Sequence, residues 1–241
     1  MKVLDLFSGI GGFSYGLEAV GNFETIAFVE INSFCQKVLK KHWPLVPLYT
    51  DITKLTAPKG LAELLVGGFP CQDVSVAAGG KAKSLLGDRS GLWWEYYRLI
   101  AEIQPNWVII ENVYNLRSQG LSIILRQLAE LGYDAEWHVI PAYAVGLPHT
   151  RKRLWIIAHN NRHRVERGSP FPLQGLREIS WWQTERGFED FFRRFPLHEP
   201  KLCRSIHGIP NGVDRLRSIG NSIVPVIAGA IGMAIETWEK Q

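Results

Sequence analysis

Short apolar runs alternate with amphipathic stretches through the first 160 residues, and this rhythm limits the fold more than any other feature of the chain. The apolar runs Lys2–Phe7, Thr25–Glu30, Leu64–Phe69, Trp107–Glu111, Glu136–Ala142 and Leu154–Ala158 have the length of strands. Between them, Phe34–Lys41, Leu92–Ile103 and Leu121–Leu131 carry apolar residues at helical spacing. Strand, helix, strand at this pace predicts an α/β fold, a doubly wound and mostly parallel sheet with helices on both faces. In such sheets ligands gather beyond the carboxyl ends of the strands.

The rhythm stops after His159. Residues 160–209 hold Pro, Arg, Trp and Phe without a clean period, as in WWQTERGFEDFFRRF, and read as a small inserted lobe. From about Val224 to Lys240 a last apolar helix is expected, so residues 210–241 should pack back on a first domain of residues 1–159. The longest apolar run, Ile223 to Ile235, contains Pro225 and is too short to cross a bilayer. Lys2 and Asp5 break the opening apolar run, which does not fit a secretion signal. Three cysteines (Cys35, Cys71, Cys203) without a CxxC pair argue against a disulfide framework and against a zinc site. A cytoplasmic, metal-free protein is the expectation.

Charge is uneven. The net charge is +4, yet residues 151–217 alone carry 14 Lys or Arg against 7 Asp or Glu. A slightly acidic body with one basic segment suits a polyanionic partner, and it equally suits a solvated loop region.

Four places carry candidate chemistry. The first is the loop FSGIGGF, Phe7 to Phe13, which follows a strand and opens a helix. Its glycines allow backbone amides to approach a ligand, although a plain tight turn would use them too. Counting from Gly9, the last position of the dinucleotide pattern G-x-G-x-x-G is Ser14, which points away from NAD toward another adenosine-containing ligand. The second is a pair of acids at successive strand ends. Glu30, about twenty residues beyond the loop, can accept from ribose hydroxyls, and Asp51 can accept from an adenine amino group. Third comes GGFPCQDVS, where Cys71 sits after a strand in a loop that exposes sulfur and can lower its pKa. Cys35 and Cys203 read instead as small hydrophobes. The fourth is Glu111-Asn112-Val113, in which a carboxyl in an apolar setting can be held protonated and donate a hydrogen bond.

Taken together, DLFSGIGGF, GFPCQDVS, ENV, the pair Arg151 and Arg153 in HTRKRLWIIA, and GNSIVP from Gly220 to Pro225 resemble the DNA (cytosine-5)-methyltransferase family. They stand in the family's order and span residues 1–159 and about 204–240. The resemblance implies the fold of S-adenosylmethionine-dependent methyltransferases with a target-recognition lobe inserted at 160–209. It implies methyl transfer to carbon 5 of cytosine in duplex DNA, with the base flipped out of the stack. Cys71 would attack ring carbon 6, Glu111 would serve ring nitrogen 3, Arg153 would orient the base, and Arg151 would support the loop or a phosphate. S-adenosylmethionine would lie across Phe7, Gly9, Ile10, Gly12, Glu30, Ile31, Asp51, Ile52 and Pro70, with Asn221 and Ile223 closing the pocket. The duplex would meet Gln72, Ser75 and Arg89 near the base, and Arg162, Arg164, Arg193 and Arg194 in the lobe.

Six aromatics between Trp181 and Phe195 could stack on bases, but they suit the lobe's own core better. The chain departs from the family pattern at Thr50, where glycine is usual, and at His149-Thr150; neither is a catalytic position. Two rival readings follow. One is an inactive or partner-dependent DNA-binding relative, suggested by a lobe of about fifty residues that is short for the family. The other is a transfer-RNA cytosine methyltransferase, because a branch of the family acts there. A monomer is the simplest assembly for an enzyme working on one strand at a time.

Overall fold

The computed structural model describes residues 1–70, 91–147, 150–161, 218 and 220–240. Within these residues, seven strands form one mixed sheet: β1 (Lys2–Leu6), β2 (Glu24–Val29), β3 (Leu48–Tyr49), β4 (Leu64–Gly67), β5 (Trp107–Val113), β6 (Tyr133–Pro141) and β7 (Lys152–Asn160). Their spatial order is β3-β2-β1-β4-β5-β7-β6. β1 to β5 run parallel, whereas β7 lies antiparallel to both β5 and β6. The chain leaves β1 toward β2 and β3 and later returns to place β4 on β1's other side. That reversal is the switch point where a crevice opens in sheets of this class.

Successive residues of the central strands face opposite layers and are all buried, so these strands read as continuous apolar runs. Leu4, Leu65, Val108 and Ile156 face one layer, with Trp93, Tyr96 and Leu99 of α3 (Leu92–Ile103) and Ile124 and Leu128 of a later helix (Leu121–Glu130). Val3, Leu64, Val66, Ile109 and Ile157 face the other, with Phe13 and Leu17 of α1 (Gly12–Val20) and Ile227, Ile231 and Ile235 of the last helix (Pro225–Glu239). The remaining helices are α2 (Ser33–His42) and the single turn α4 (Leu116–Gln119), so Leu121–Glu130 is α5 and Pro225–Glu239 is α6. Asn32 caps α2 by accepting the N–H groups of Phe34 and Cys35 at 3.0 and 3.1 Å, and Lys40, Lys41 and His42 fill its last turn. α6 starts on Pro225, whose fixed φ and missing N–H suit a first turn.

The α/β sheet with two helical layers agrees with the sequence, and the differences are local. β3 has two residues, too few for an apolar run to announce it. α4 is also new. β5 continues through Asn112 to Val113 and β7 from Lys152 to Asn160, because the antiparallel ladder pairs polar residues as readily as apolar ones. Asn160 ends β7 and Asn161 follows it, while residues 162–209, the rest of the expected lobe, and 210–217 of the expected C-terminal segment lie outside the described residues.

Candidate active site

Phe7 follows β1 with φ +52°, a left-handed conformation that L side chains avoid; Gly9 (+56°) and Gly11 (+86°) repeat it where glycine tolerates it. This alternation bends the chain tightly into α1. The loop is tied down from both sides. Ser8 Oγ donates to the Asp5 carbonyl at 2.6 Å and accepts from the Val29 N–H at 3.2 Å. The Gly9 N–H donates to Glu30 Oε2 at 2.7 Å, and the Asn32 N–H donates to Glu30 Oε1 at the same distance. Glu30 is therefore aimed into the loop from the end of β2. Among the described residues nothing lies within 4 Å of a Cβ built on Gly9, so they leave the surface above this turn open. The next two glycines are closed in: a Cβ on Gly11 would strike Trp43 at 2.6 Å, and one on Gly12 would strike Ile223 at 2.8 Å and Ser222 at 2.9 Å.

Around this opening stand the other residues expected to hold a cofactor. Ile31 follows Glu30 and is 81% exposed, a large apolar side chain left at the mouth of the crevice. Asp51, just past β3, accepts from the Thr53 hydroxyl at 2.7 Å and the Thr53 N–H at 3.0 Å. The Thr53 hydroxyl, the Thr53 N–H and nearby Lys54 hold its carboxyl below the ordinary aspartate range. Ile52 is buried behind it, Ile10 is half-buried, and Pro70 is exposed at the end of the β4 turn. Beneath the loop, Asp5 is fully buried and accepts from Ser14 Oγ at 2.8 Å. Burial pushes its pKa to about 7, against the pull of the Ser14 bond.

A second cluster occupies the end of β5. In the β5–β7 ladder Glu111 faces Trp155 and Val113 faces Arg153, which makes Glu111 and Arg153 diagonal neighbours on one side of the sheet. Arg153 Nε lies 3.0 Å from Glu111 Oε1 as a close ion pair. Its N–H does not point squarely at that oxygen, and Oε1 has no hydrogen-bond donor among the described residues. Burial raises the Glu111 pKa to about 7, and the charges of Arg153 and Arg151 only partly offset it. Gly68 is pressed against the same carboxyl: a Cβ there would sit 3.1 Å from Glu111 Oε2.

Asn112, buried beside Glu111, has a role that its place in ENV does not announce. Its Nδ2 donates to the Phe69 carbonyl at 2.9 Å, while its Oδ1 accepts from the Val113 N–H at 2.8 Å. The side chain thus fixes the backbone two residues before position 71. A polar residue inside an otherwise apolar strand is the signal that could have found it, because such a group needs a partner. Arg151 also differs from expectation in its contacts. Its Nη1 donates to the Gly220 carbonyl and its Nη2 to the Ser222 carbonyl at 2.8 Å, so it grips backbone of the C-terminal segment. Cys71, Gln72, Ser75, Arg89, Arg162, Arg164, Arg193 and Arg194 lie outside the described residues. Among the described residues no cluster of His, Cys, Asp and Glu could hold a metal ion, and no helix is long and apolar enough to cross a membrane.

An acid and an arginine at the end of one strand pair thus stand on the same sheet as a glycine turn bridged to a second acid. The model of the C-5 cytosine-specific DNA methylase family matches residues 1–189. The chain belongs to this family. It is similar to the Type II methyltransferase M2.BsuMI of Bacillus subtilis, 39% identical over 66% of this chain and 42% of the relative. It is also similar to the Type II methyltransferase M.CviJI of Paramecium bursaria Chlorella virus IL3A, 32% identical over 68% of this chain and 45% of that protein. The chain thus spans less than half the length of these relatives. Among solved structures, Entamoeba histolytica methyltransferase EhMeth superposes with a TM-score of 0.65 at 13% identity, covering 97% of each chain, a likeness of fold.

Proposed function

We propose that the chain transfers a methyl group from S-adenosylmethionine to carbon 5 of cytosine in a short duplex DNA sequence, through a covalent bond to Cys71. The observation that carries this reading is the buried Glu111 carboxyl. It is held near neutrality in its pKa, paired with Arg153, and adjoins the strand-end turn that leads into Cys71.

The residues present fit the cofactor. The turn above Gly9 is open where a side chain would meet nothing, Glu30 is fixed at its edge, and Ile31 offers an exposed apolar face. Glu30 would accept from the ribose hydroxyls, Asp51 from the adenine amino group, and Phe7, Gly9, Ile10, Gly12, Ile52, Pro70, Asn221 and Ile223 would line the rest. When bound, S-adenosylmethionine supplies an electrophilic methyl group.

Carbon 5 of cytosine is a poor nucleophile, and the chain's own residues change that. The Cys71 thiolate adds to carbon 6 while Glu111 in its neutral form gives its proton to ring nitrogen 3, which leaves an enamine with electron density on carbon 5. Arg153 holds the ring through the base carbonyl oxygen. After carbon 5 has been methylated, a base takes the carbon-5 proton, the electron pair re-forms the ring double bond, Cys71 departs as thiolate, and the proton on nitrogen 3 returns to Glu111. A cytosine inside a duplex reaches this site only by leaving the stack, and Gln72, Ser75, Arg89 and the lobe arginines Arg162, Arg164, Arg193 and Arg194 would hold the DNA around it.

Conversion sequencing of DNA from cells expressing the intact protein or Cys71→Ala tests the proposal. Methylation at one short recurring sequence, absent with the variant, is the expected result. Methylation at equal levels with Cys71→Ala would remove the nucleophile assignment. No methylation with either would favour a partner-dependent protein or a transfer-RNA substrate, which methyl incorporation into transfer RNA separates.

A further inference from the structure

One side chain ties the described start of the C-terminal segment to β7, and the segment itself packs on the loop after β1. Arg151 stands just before β7, two residues from Arg153, and its guanidinium bridges the carbonyls of Gly220 and Ser222. Those two carbonyls bracket Asn221. The next residues, Ser222 and Ile223, pack on Gly12 at the start of α1, with under 3 Å left for any Cβ there. Contact therefore runs without a break from Arg151 through residues 220–223 to the turn that Gly9 and Glu30 share. The other arginine of the pair, Arg153, forms a close ion pair with Glu111.

We propose that Arg151 is a positioning residue for the cofactor pocket, holding residues 220–223 against the loop after β1, and that Arg153 alone of the pair serves the base. This rests on the cofactor reading given above. An arginine suits that role because guanidinium presents parallel N–H donors in a rigid fork and can satisfy two carbonyls two residues apart at once. A lysine ammonium gathers its donors on one nitrogen and lacks the planar fork, so it holds the two carbonyls less well. Half-burial beside the like charge of Arg153 is costly for a cation, which a merely solvated arginine would avoid.

Calorimetric titration of the full chain with S-adenosylhomocysteine, without DNA, tests this in the wild type, Arg151→Ala, Arg151→Lys and Arg153→Ala. The expected result is a Kd raised threefold or more in both Arg151 variants, with Arg153→Ala changed by less than threefold. Loss of fold would lower the binding stoichiometry and leave Kd alone, and the lysine variant keeps the charge where alanine could disturb folding. In turnover, Arg151→Lys should raise KM for S-adenosylmethionine by a larger factor than it lowers kcat. Arg151 variants whose Kd stays within threefold of wild type, or a fall in kcat at unchanged KM, would overturn the proposal. A wild-type protein that binds no S-adenosylhomocysteine would instead overturn the cofactor reading itself.

Discussion

Glu111 shows how a single position acquires its chemistry. The carboxyl sits in β5 opposite Trp155 and against the Gly68 backbone, with too little water around it to support its charge cheaply. Its pKa rises to about 7 for that reason, and Arg153 and Arg151 stop it rising further. Below that pH the group is neutral and, in the role proposed for it, can donate to ring nitrogen 3; above it the proton is gone and donation fails. Activity should therefore fall as pH rises through about 7 on the limb that belongs to Glu111. Glu111→Gln, which donates at every pH but transfers no proton, should lower kcat by about 10²–10⁴-fold and lose that limb. A pH–rate profile of the variant checks this, and an unchanged alkaline limb would assign it to another group. At this scale an acid in an apolar run and a basic pair opening a strand were visible in the sequence, and the structure brings Glu111 and Arg153 together, while Cys71 lies outside the described residues. The grip of Arg151 on Gly220 and Ser222 was not visible, because its partners lie far along the chain and nothing local specifies where they return. Asn112 fell between, visible as a polar residue in β5 but without a visible partner.

At the scale of elements, legibility followed burial. β1, β2, β4 and the core of β5 are covered on both faces, so their sequences are largely apolar and their ends are easily placed. β3 is too short to show a period, and α4 is a single turn whose exposed Arg117 stacks over Tyr114 at 5.3 Å rather than following an apolar pattern. The crossing of α1 and α6 was equally hidden. Gly16 lies against the first turn of α6, and a Cβ there would come within 2.1 Å of the Pro225 carbonyl oxygen and 3.1 Å of the Ala228 Cβ. Farther along the same crossing, Gly232 leaves room for Leu17 and Phe23. Backbone carbonyl cannot rotate away as a flexible side chain would, so Gly16→Ala must push the helices apart. The expected cost is about 1–3 kcal/mol, as for other overpacked cores. Thermal melting checks it, each kcal/mol lowering Tm by roughly 2–4 °C in a chain of this size. Because α6 follows residues 220–223, the same variant should also weaken cofactor binding; an unaltered Tm would mean that the crossing is looser than its geometry.

Across the whole molecule the two ends of the sheet are built differently. At the amino end of β5, Trp107 packs edge-on to Trp238 at 5.1 Å and donates to Glu239 Oε1 at 2.7 Å, with the His159 ring 4.4 Å from each tryptophan. This aromatic seal fastens α6 to the strands and exposes little to a ligand. Phe7, Glu30, Asp51, Glu111 and Arg153 all lie toward the carboxyl ends of the parallel strands, on both sides of the β1–β4 switch point. This end thus brings the open glycine turn with Glu30 and the Glu111–Arg153 pair to one edge, the places proposed for cofactor and base, with the strand-end turn of β4 leading toward Cys71. A covalent trap tests that arrangement as a unit. In DNA carrying 5-fluorocytosine at the target, fluorine cannot leave carbon 5 as a proton does, so Cys71 cannot depart after methylation. Incubation with S-adenosylmethionine should give a protein–DNA adduct that survives denaturing electrophoresis and carries one added methyl group by mass. Omitting the cofactor should leave no adduct of that mass, because the trap closes only once carbon 5 has been methylated. Glu111→Gln should slow its formation, since addition at carbon 6 then lacks its proton donor, and Cys71→Ala should abolish it. An active protein that forms no adduct would show that methyl transfer here does not pass through a bond to Cys71.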